Sequence, residues 1–473
     1  MTNSTPPGST PDGAQSSSDN PIDPANPGNI DALSALLAEH EAPSSTGDRG
    51  AAAFPGGSTD DRPSRRSERR ARHDAPVPPV PLWLRIVAPI VIVVLLLPVL
   101  SLGKALATTN NLSLTERGAE WMRDNNLGFV LNRVEGWWLS MHQAKAGGEP
   151  DRAIEAPRQA AEAGPTTTVK VVAPHLPKPP DVKVPEGIIP VANEGVWQPV
   201  GPVVGGAQSM YTTQVRPDNV RTSVLDGLAW MDPKLVRFQL FPGTEEPGGR
   251  WDNNGQVPMD MRLDLIAAFN AGFRNQDDRG GFYLNGQYKE NLREGAASMI
   301  FYKDGRVNVG MWGRDATMTP DVVGVRQNLD LIIDNGGGPP NPGGTPGGAA
   351  APGVLANGLS DNSDGAWGAT FGNKILAWRS AVGITADGAI VYGYGDGLGA
   401  MSLAQLMLRA GCVRAMELDI NTVWTTFNFY TTTRFLDPTS VEGTKLLPES
   451  FKGANRYLSP DPRDFVGVFV RRN

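Results

Sequence analysis

The chain has 473 residues and a formal net charge of −7, with 43 Lys and Arg against 50 Asp and Glu. That length has room for two or three average domains, and the mildly acidic balance argues against nucleic acid as the main partner. A single cysteine, Cys412, excludes an intrachain disulfide and is expected to be a small apolar core residue.

The first 80 residues are Ser-, Pro-, Asp-, Gly- and Ala-rich with almost no aromatics. Such a composition buries too little apolar surface to offset the entropy of ordering, so 1–80 is expected to be a disordered cytoplasmic tail. Next comes IVAPIVIVVLLLPVLSL, uncharged from Ile86 to Leu102. With Leu82, Trp83 and Leu84 in front it reaches the roughly 20 residues that cross a bilayer, which predicts a transmembrane signal anchor over 82–104. The run RPSRRSERRARH upstream puts the amino terminus in the cytoplasm by the positive-inside rule. The expected location is the cell membrane, single-pass, with the carboxyl-terminal domain extracytoplasmic.

Residues 111–145 read as juxtamembrane helices. Ser113 and Glu116 form a capping-box pattern, and Trp121, Trp137 and Trp138 suit either a bilayer interface or packing onto the domain. From 146 to 190 the chain is Pro-, Ala- and Lys-rich, and PHLPKPPDVKVPEG reads as an extended polyproline spacer.

Residues 191–473 read as one extracytoplasmic domain. It opens with the strand-like runs SMYTTQV, NVRTSVL, LAWMD and LVRFQLF. Two hairpins follow, with Asp304-Gly305 and Asp387-Gly388 suited to type I′ turns. One helix is expected with Ser402 as cap and Gln405 completing the box; Leu403, Leu406, Met407 and Ala410 share a face, and Gly411 ends it. CVRAMELD then returns as a strand. Strands dominate without a βαβ rhythm, which predicts an α+β fold of mixed, mostly antiparallel β-sheets with interspersed helices. The Gly- and Pro-rich stretch 335–353 has no Gly-Lys-Ser/Thr ending, so it reads as a loop insertion and not as a phosphate-binding loop.

His40, His73, His142 and His175 all precede residue 191. A Ser-His-Asp triad, a Cys-His dyad and a His-ligated zinc are therefore excluded inside the domain, and an enzyme here would draw acid and base from carboxylates. MELDINTVW carries Glu417 and Asp419 two apart on one face of a strand end, with Cα atoms about 6.6 Å apart. Two like charges that close push one pKa up, so a protonated acid can coexist with an ionised base. The other reading is a turn residue beside a structural network. Arg379 is either a bidentate clamp for an anionic substrate or half of a structural salt bridge. Asn270 either binds sugar hydroxyls or holds a turn, and Asp396 in GYGDGLG is a turn residue or a third pocket carboxylate. DNSDG at 361–365 lacks the distal Glu of a calcium loop and reads as a turn. No metal and no cofactor are expected.

AFNAGF followed by RSAVGITADGAIVYGYGDGLGAMSLAQLMLRAGCVRAMELD resembles the phosphodiester glycosidase family, which includes the uncovering-enzyme domain, over about Asp264 to Trp424. The chain would be a divergent bacterial, membrane-anchored member. The family's Asn-Gly-Gly-Phe turn falls on Asn270, Ala271, Gly272 and Phe273. Its Arg-Thr-Ala-x-Gly strand falls on Arg379 to Gly383, and its closing Leu-Asp on Leu418 and Asp419. The glycine-rich turn that usually follows is replaced by Ile420, Asn421, Thr422 and Val423, and Glu417 stands where an asparagine is common. The resemblance implies Asp419 and Arg379 as catalytic groups and the strand-end geometry adds Glu417, while Asn270, Gly272, Asp396 and Asn421 are expected to bind substrate. It implies a hydrolase of sugar phosphodiester or related glycosidic linkages in envelope glycopolymers. The alternative is a non-catalytic glycan-binding or envelope-assembly protein.

Overall fold

The structure is a computed structural model. It describes residues 81–107, 112–125, 143–154, 173–253, 255–278, 280–340, 350–360, 367, 368 and 376–472, with single positions between 127 and 141. The tail 1–80, the segment 155–172, the glycine-rich 341–349 and the DNSDG turn at 361–365 lie outside the described residues. The chain divides into two units, Met1–Leu84 and Arg85–Asn473, and the account below concerns the second.

Helix α1 spans Leu82–Ala107. The membrane anchor expected over 82–104 is corrected here, because among the described residues no helix is long and apolar enough to cross a membrane. At about 1.5 Å per residue the uncharged stretch Ile86–Leu102 is about 26 Å long, short of the roughly 30 Å hydrocarbon core. Arg85 and Lys104 limit it at either end. Helix α2, Leu114–Asp124, starts with the capping box that the sequence marks: Glu116 N donates to Ser113 Oγ and Ser113 N to Glu116 Oε2. Arg117 Nη1 donates to Leu106 O at 2.8 Å and Trp121 Nε1 to Ser101 Oγ at 3.0 Å, which ties α2 to the end of α1.

Seven strands position the site: β1 (Leu265–Asn270), β2 (Val322–Gln327), β3 (Ala377–Thr385), β4 (Ile390–Leu398), β5 (Cys412–Glu417), β6 (Phe427–Thr432) and β7 (Phe465–Val470). Adjacent strands β4, β3 and β5 form the middle of an eight-stranded sheet. A five-stranded sheet carries β6, β1 and β7 side by side, and a second five-stranded sheet has β2 at its centre. The strand pairs that build these sheets are antiparallel. Mostly antiparallel sheets with few helices fit the α+β expectation; the transmembrane helix in front of them does not.

Side-chain alternation explains why the large sheet is covered on both faces. Val382, Ile384, Tyr392, Tyr394, Met416 and Leu418 face one core, with Phe269, Phe427 and Val466 of the five-stranded sheet. Ala381, Val391, Leu398 and Ala415 face the other, against Leu403, Leu406 and Met407 of helix α3, Ala400–Arg409. Cys412 is buried in that second core, as its composition suggested. Both Asp-Gly hairpins form, joining 297–302 to 307–311 and β3 to β4.

Two local readings are corrected. Helix α3 begins at Gly399 and not at Ser402; the Ser402 hydroxyl sits three residues in and accepts the Gly399 N–H at 2.9 Å. NVRTSVL is a turn and not a strand, because the Asp218 carboxylate accepts the N–H groups of Val220 and Arg221, both at 2.8 Å.

Candidate active site

Strand β5 ends at Glu417, paired with Ala381 of β3. The chain then runs past the sheet, held by Leu418 N to Ser380 O at 2.8 Å and Asp419 N to Ala271 O at 3.2 Å. The second bond brings the turn after β1 against the end of β5. Three of the segments singled out in the sequence thus converge here: the Asn270–Phe273 turn, the Arg379–Gly383 strand and the Leu418-Asp419 pair.

Arg379 and Glu417 form a buried ion pair, Nη1 to Oε1 at 2.5 Å, with side chains 3% and 0% exposed. The guanidinium also donates to Leu398 O at 3.0 Å and to Trp367 O at 3.1 Å. Glu417 Oε2 has no hydrogen-bond partner among the described residues. Burial pushes the Glu417 pKa up to about 7; Arg379 opposes this and the charge of Asp419 adds to it.

Asp419 is held differently. Its Oδ2 takes Arg463 Nη2 at 2.8 Å and its Oδ1 accepts the Asn421 N–H at 3.0 Å. Burial raises its pKa, while Arg463 and the Asn421 amide pull it back. The Asn421 side chain accepts the Val423 N–H at 2.9 Å, so it shapes its own turn.

Asn270 is buried and fully occupied: Nδ2 donates to Ser380 Oγ at 2.9 Å and to Ala271 O, and Oδ1 accepts Tyr392 Oη at 2.6 Å and Thr426 N at 3.1 Å. Ser380 Oγ in turn donates to Asp419 O at 2.7 Å. Asn270 therefore fixes the backbone beneath Asp419. Gly272 sits where a Cβ would lie 2.9 Å from Asn328 Oδ1 and 3.0 Å from Arg326 Cζ, which only glycine allows without displacement. Asp396 accepts its neighbour's N–H, from Gly397, at 2.7 Å, and no described contact joins it to Arg379, Glu417 or Asp419.

Several residues at this centre escaped the sequence reading. Arg463 is the ion partner of Asp419. Asn328 bridges the two halves, accepting Phe273 N at 3.0 Å and donating to Glu417 O at 2.7 Å. Arg326, on β2, binds Asp464 at 2.7 Å, Asp278 at 3.1 Å and the carbonyl of Phe273. Trp424, which the sequence offers as an aromatic platform, has its ring 5.3 Å from the Arg463 guanidinium. The DPRD run at 461–464 was the available signal, since two acids flanking an arginine just before an apolar strand mark a charged strand entry.

Residues 264–419 match the family model described as phosphodiester glycosidase, a stretch that contains Asn270, Gly272, Arg379, Glu417 and Asp419. A domain of this kind suggests a hydrolase of phosphodiester glycosidic linkages. No curated protein matches the chain. Among solved structures, it is similar to the zebrafish N-acetylglucosamine-1-phosphodiester alpha-N-acetylglucosaminidase catalytic domain auto-inhibited by pro-peptide, at 15% identity over 56% of this chain and 82% of that one, with a TM-score of 0.33. It is also similar to a hypothetical protein from Synechocystis, at 13% identity over 57% and 64% of the two chains, with a TM-score of 0.31. Likeness this low carries no argument by itself.

Proposed function

We propose that the domain hydrolyses sugar 1-phosphodiesters, with Asp419 as base toward water and Glu417 as acid toward the departing oxygen. The observation that carries the reading is the pair itself. Two carboxylates at one strand end each face an arginine, and one is poised near pH 7 with a free oxygen.

The chemistry matches those groups. Water attacks the anomeric carbon, a C–O bond to the sugar forms, and the bond from that carbon to the phosphate oxygen breaks. The water proton goes to Asp419. The leaving group is a phosphomonoester, whose second pKa is about 6, so it needs charge stabilisation more than a strong acid. Guanidinium groups supply that in a water-poor site, and a proton from Glu417 Oε2 completes the departure. Asp419 is the more exposed carboxylate, at 5% against 0%, and is the one water reaches first.

One observation favours a second reading, binding of a glycan without hydrolysis. Both carboxylates are engaged in ion pairs, and β-branched residues fill the turn after Asp419.

The full chain is to be incubated with a small sugar 1-phosphodiester and, separately, with a phosphodiester-linked glycopolymer of the kind found in cell envelopes. Release of reducing sugar with an equal amount of phosphomonoester, lost in Asp419→Asn, supports the hydrolase. Binding of either compound with no release supports the second reading.

A further inference from the structure

A cavity of about 510 Å³ runs along the strand Val236–Phe241, at the edge of the sheet that carries β1, and none of its lining residues belongs to the Asp419 site. That volume is in the range of ligand sites, roughly 300–1,000 Å³. The turn Asp304-Gly305 forms one wall. Phe238 N donates to Gly305 O at 2.8 Å, and a Cβ on Gly305 would run into Arg237 Cβ. Phe241 lies at the other end. Asn270, Phe465 and Phe241 stand opposite one another on three adjacent strands, so Phe241 is two strand spacings, about 10 Å, from Asn270. The cavity is thus separate from the Asp419 centre, and it starts at the same end of the sheet.

Its walls carry polar groups that the protein leaves unmatched. Arg237 is half-buried, with its guanidinium 4.5 Å over the Phe469 ring and Nη1 donating to Gln239 Oε1 at 3.3 Å. Burial presses its pKa down and Asp264 works against that, but Asp264 is held by Arg472 at 2.5 Å. Arg250 and Lys303 are exposed cations of the same lining, and neither forms an ion pair among the described residues. Against these three stand Asp252 and Asp304, and Asp304 is taken by Arg306. A cation drawn from water without a carboxylate calls for an anion. Asn253 Oδ1 is buried and accepts no hydrogen bond among the described residues, while Nδ2 donates to Pro242 O at 3.2 Å. A buried acceptor calls for a donor. Trp251 also lines the cavity, its ring fixed by Nε1 donating to Gly248 O at 2.8 Å and by Phe282, with centroids 5.6 Å apart.

We propose that this cavity binds an acidic saccharide, with its anion against Arg237, Arg250 and Lys303, a hydroxyl donating to Asn253 Oδ1 and Trp251 supporting a sugar ring. The inference goes beyond the hydrolase reading and does not depend on it. The ligand must join negative charge to hydroxyl donors and an apolar face, and an acidic sugar carries all three. The charge is a carboxylate or a phosphate, and both meet a guanidinium in the same way. An extended peptide is the other occupant that suits a sheet edge, and it needs a run of open backbone groups. Phe238 N–H points away from β7, but Gly305 O has already taken it, so only the groups of Leu240, two residues on, remain on that edge.

The test titrates the full chain by calorimetry with four probes: trigalacturonate, glucose 6-phosphate, neutral maltotriose and the acidic peptide hexaglutamate. At least one of the two acidic sugars should bind about tenfold or more tightly than maltotriose and hexaglutamate, the range of a contact to a charged group. The tighter of the two identifies the anion. Arg250→Gln/Lys303→Gln, which changes exposed side chains only, should lower that affinity about tenfold or more, and so should Arg237→Gln. Arg237→Lys should recover part of the loss, and Asp419→Asn should bind as wild type does. Failure of both acidic sugars to bind, equal binding of maltotriose, or affinity unaltered in the Arg250/Lys303 and Arg237→Gln variants overturns the proposal. Loss of binding in Asp419→Asn overturns it too, because the sugar then sits at the other site. Equal binding of hexaglutamate makes the cavity a peptide site and also overturns it. Hydrolysis of a small sugar 1-phosphodiester should be unaltered in Arg250→Gln/Lys303→Gln. A chain that hydrolyses nothing yet binds an acidic sugar as described keeps the cavity and loses the hydrolase.

Discussion

Arg463 places Nη2 2.8 Å from Asp419 Oδ2 across 44 residues of sequence, and it does so from the entry of β7, the strand beside β1. Phe465 pairs with Asn270, so one register sets both the turn below Asp419 and the guanidinium beside it. The carboxylate and its cation are positioned by the same ladder.

The first prediction follows from that pair. Asp419→Asn removes a proton acceptor at nearly constant volume, and the rate should fall by about 10² to 10⁴. Arg463→Gln should act otherwise. Arg463 lowers the Asp419 pKa, so its loss raises it. A base works only when ionised, so activity lost as the pH falls should now be lost at a higher pH. A pH–rate profile with its acid limb unmoved in Arg463→Gln would remove Asp419 from the base role.

Glu417 makes the opposite prediction. Its pKa, about 7, lies above the ordinary 4.5, with burial the largest cause. An acid donates only while protonated, so the rate should fall as pH rises through about 7. Glu417→Gln should abolish that limb and cost about 10² to 10⁴ in rate. The same shift bears on stability. The folded protein binds the proton more tightly than the unfolded chain, so Glu417 favours folding most below pH 4.5. That contribution fades as pH rises from 4.5 to about 7. The neutral amide of Glu417→Gln does not titrate, so melting temperatures of wild type and variant, compared at pH 4 and pH 8, should diverge more at the higher pH, where wild type alone carries the buried charge.

The carboxylate pair, Arg379 and the Asn270–Phe273 turn were legible because they depend on local rules. Residues two apart on a strand share a face, which needs no tertiary contact to read, whereas the close approach that requires Gly272 is made by Asn328 and Arg326. Arg463, Asn328 and Arg326 were not legible, because each acts through the pairing of strands distant in sequence. Asp396 shows the converse. Its Gly-rich setting matched both a pocket and a turn, and its carboxylate turned back on the Gly397 amide. The membrane anchor was overread because hydropathy sums an apolar run without asking whether the charges at its ends leave enough length.

Arg379→Lys keeps a charge and loses the fork. Lysine cannot hold Glu417, Leu398 O and Trp367 O with the same planar geometry. A buried carbonyl or carboxylate left without its donor costs about 1–3 kcal/mol, so thermal unfolding should move down by that equivalent. The pH–rate profile adds a second reading. Arg379 opposes the upward shift of Glu417, and a poorer partner should carry the basic limb to higher pH. A variant with unchanged melting and an unchanged basic limb would separate Arg379 from Glu417 altogether.

The last prediction concerns Gly272, which has no titratable group and tests the frame. An added Cβ would lie 2.9 Å from Asn328 Oδ1 and 3.0 Å from Arg326 Cζ. Neither neighbour is free to give way: Asn328 holds Phe273 N and Glu417 O, and Arg326 holds Asp464, Asp278 and the Phe273 carbonyl. Overpacking at such a point costs about 1–3 kcal/mol, and Gly272→Ala should lose that in denaturant unfolding. It should also lose activity beyond what instability explains, because Arg463 Nη2 donates to Gly272 O as well as to Asp419. A displaced Gly272 carbonyl moves the guanidinium and, through it, the base. Gly272→Ala with full activity at a temperature where it is wholly folded would show that the turn tolerates the shift. The Gly272–Arg463–Asp419 chain would then have no part in setting the rate.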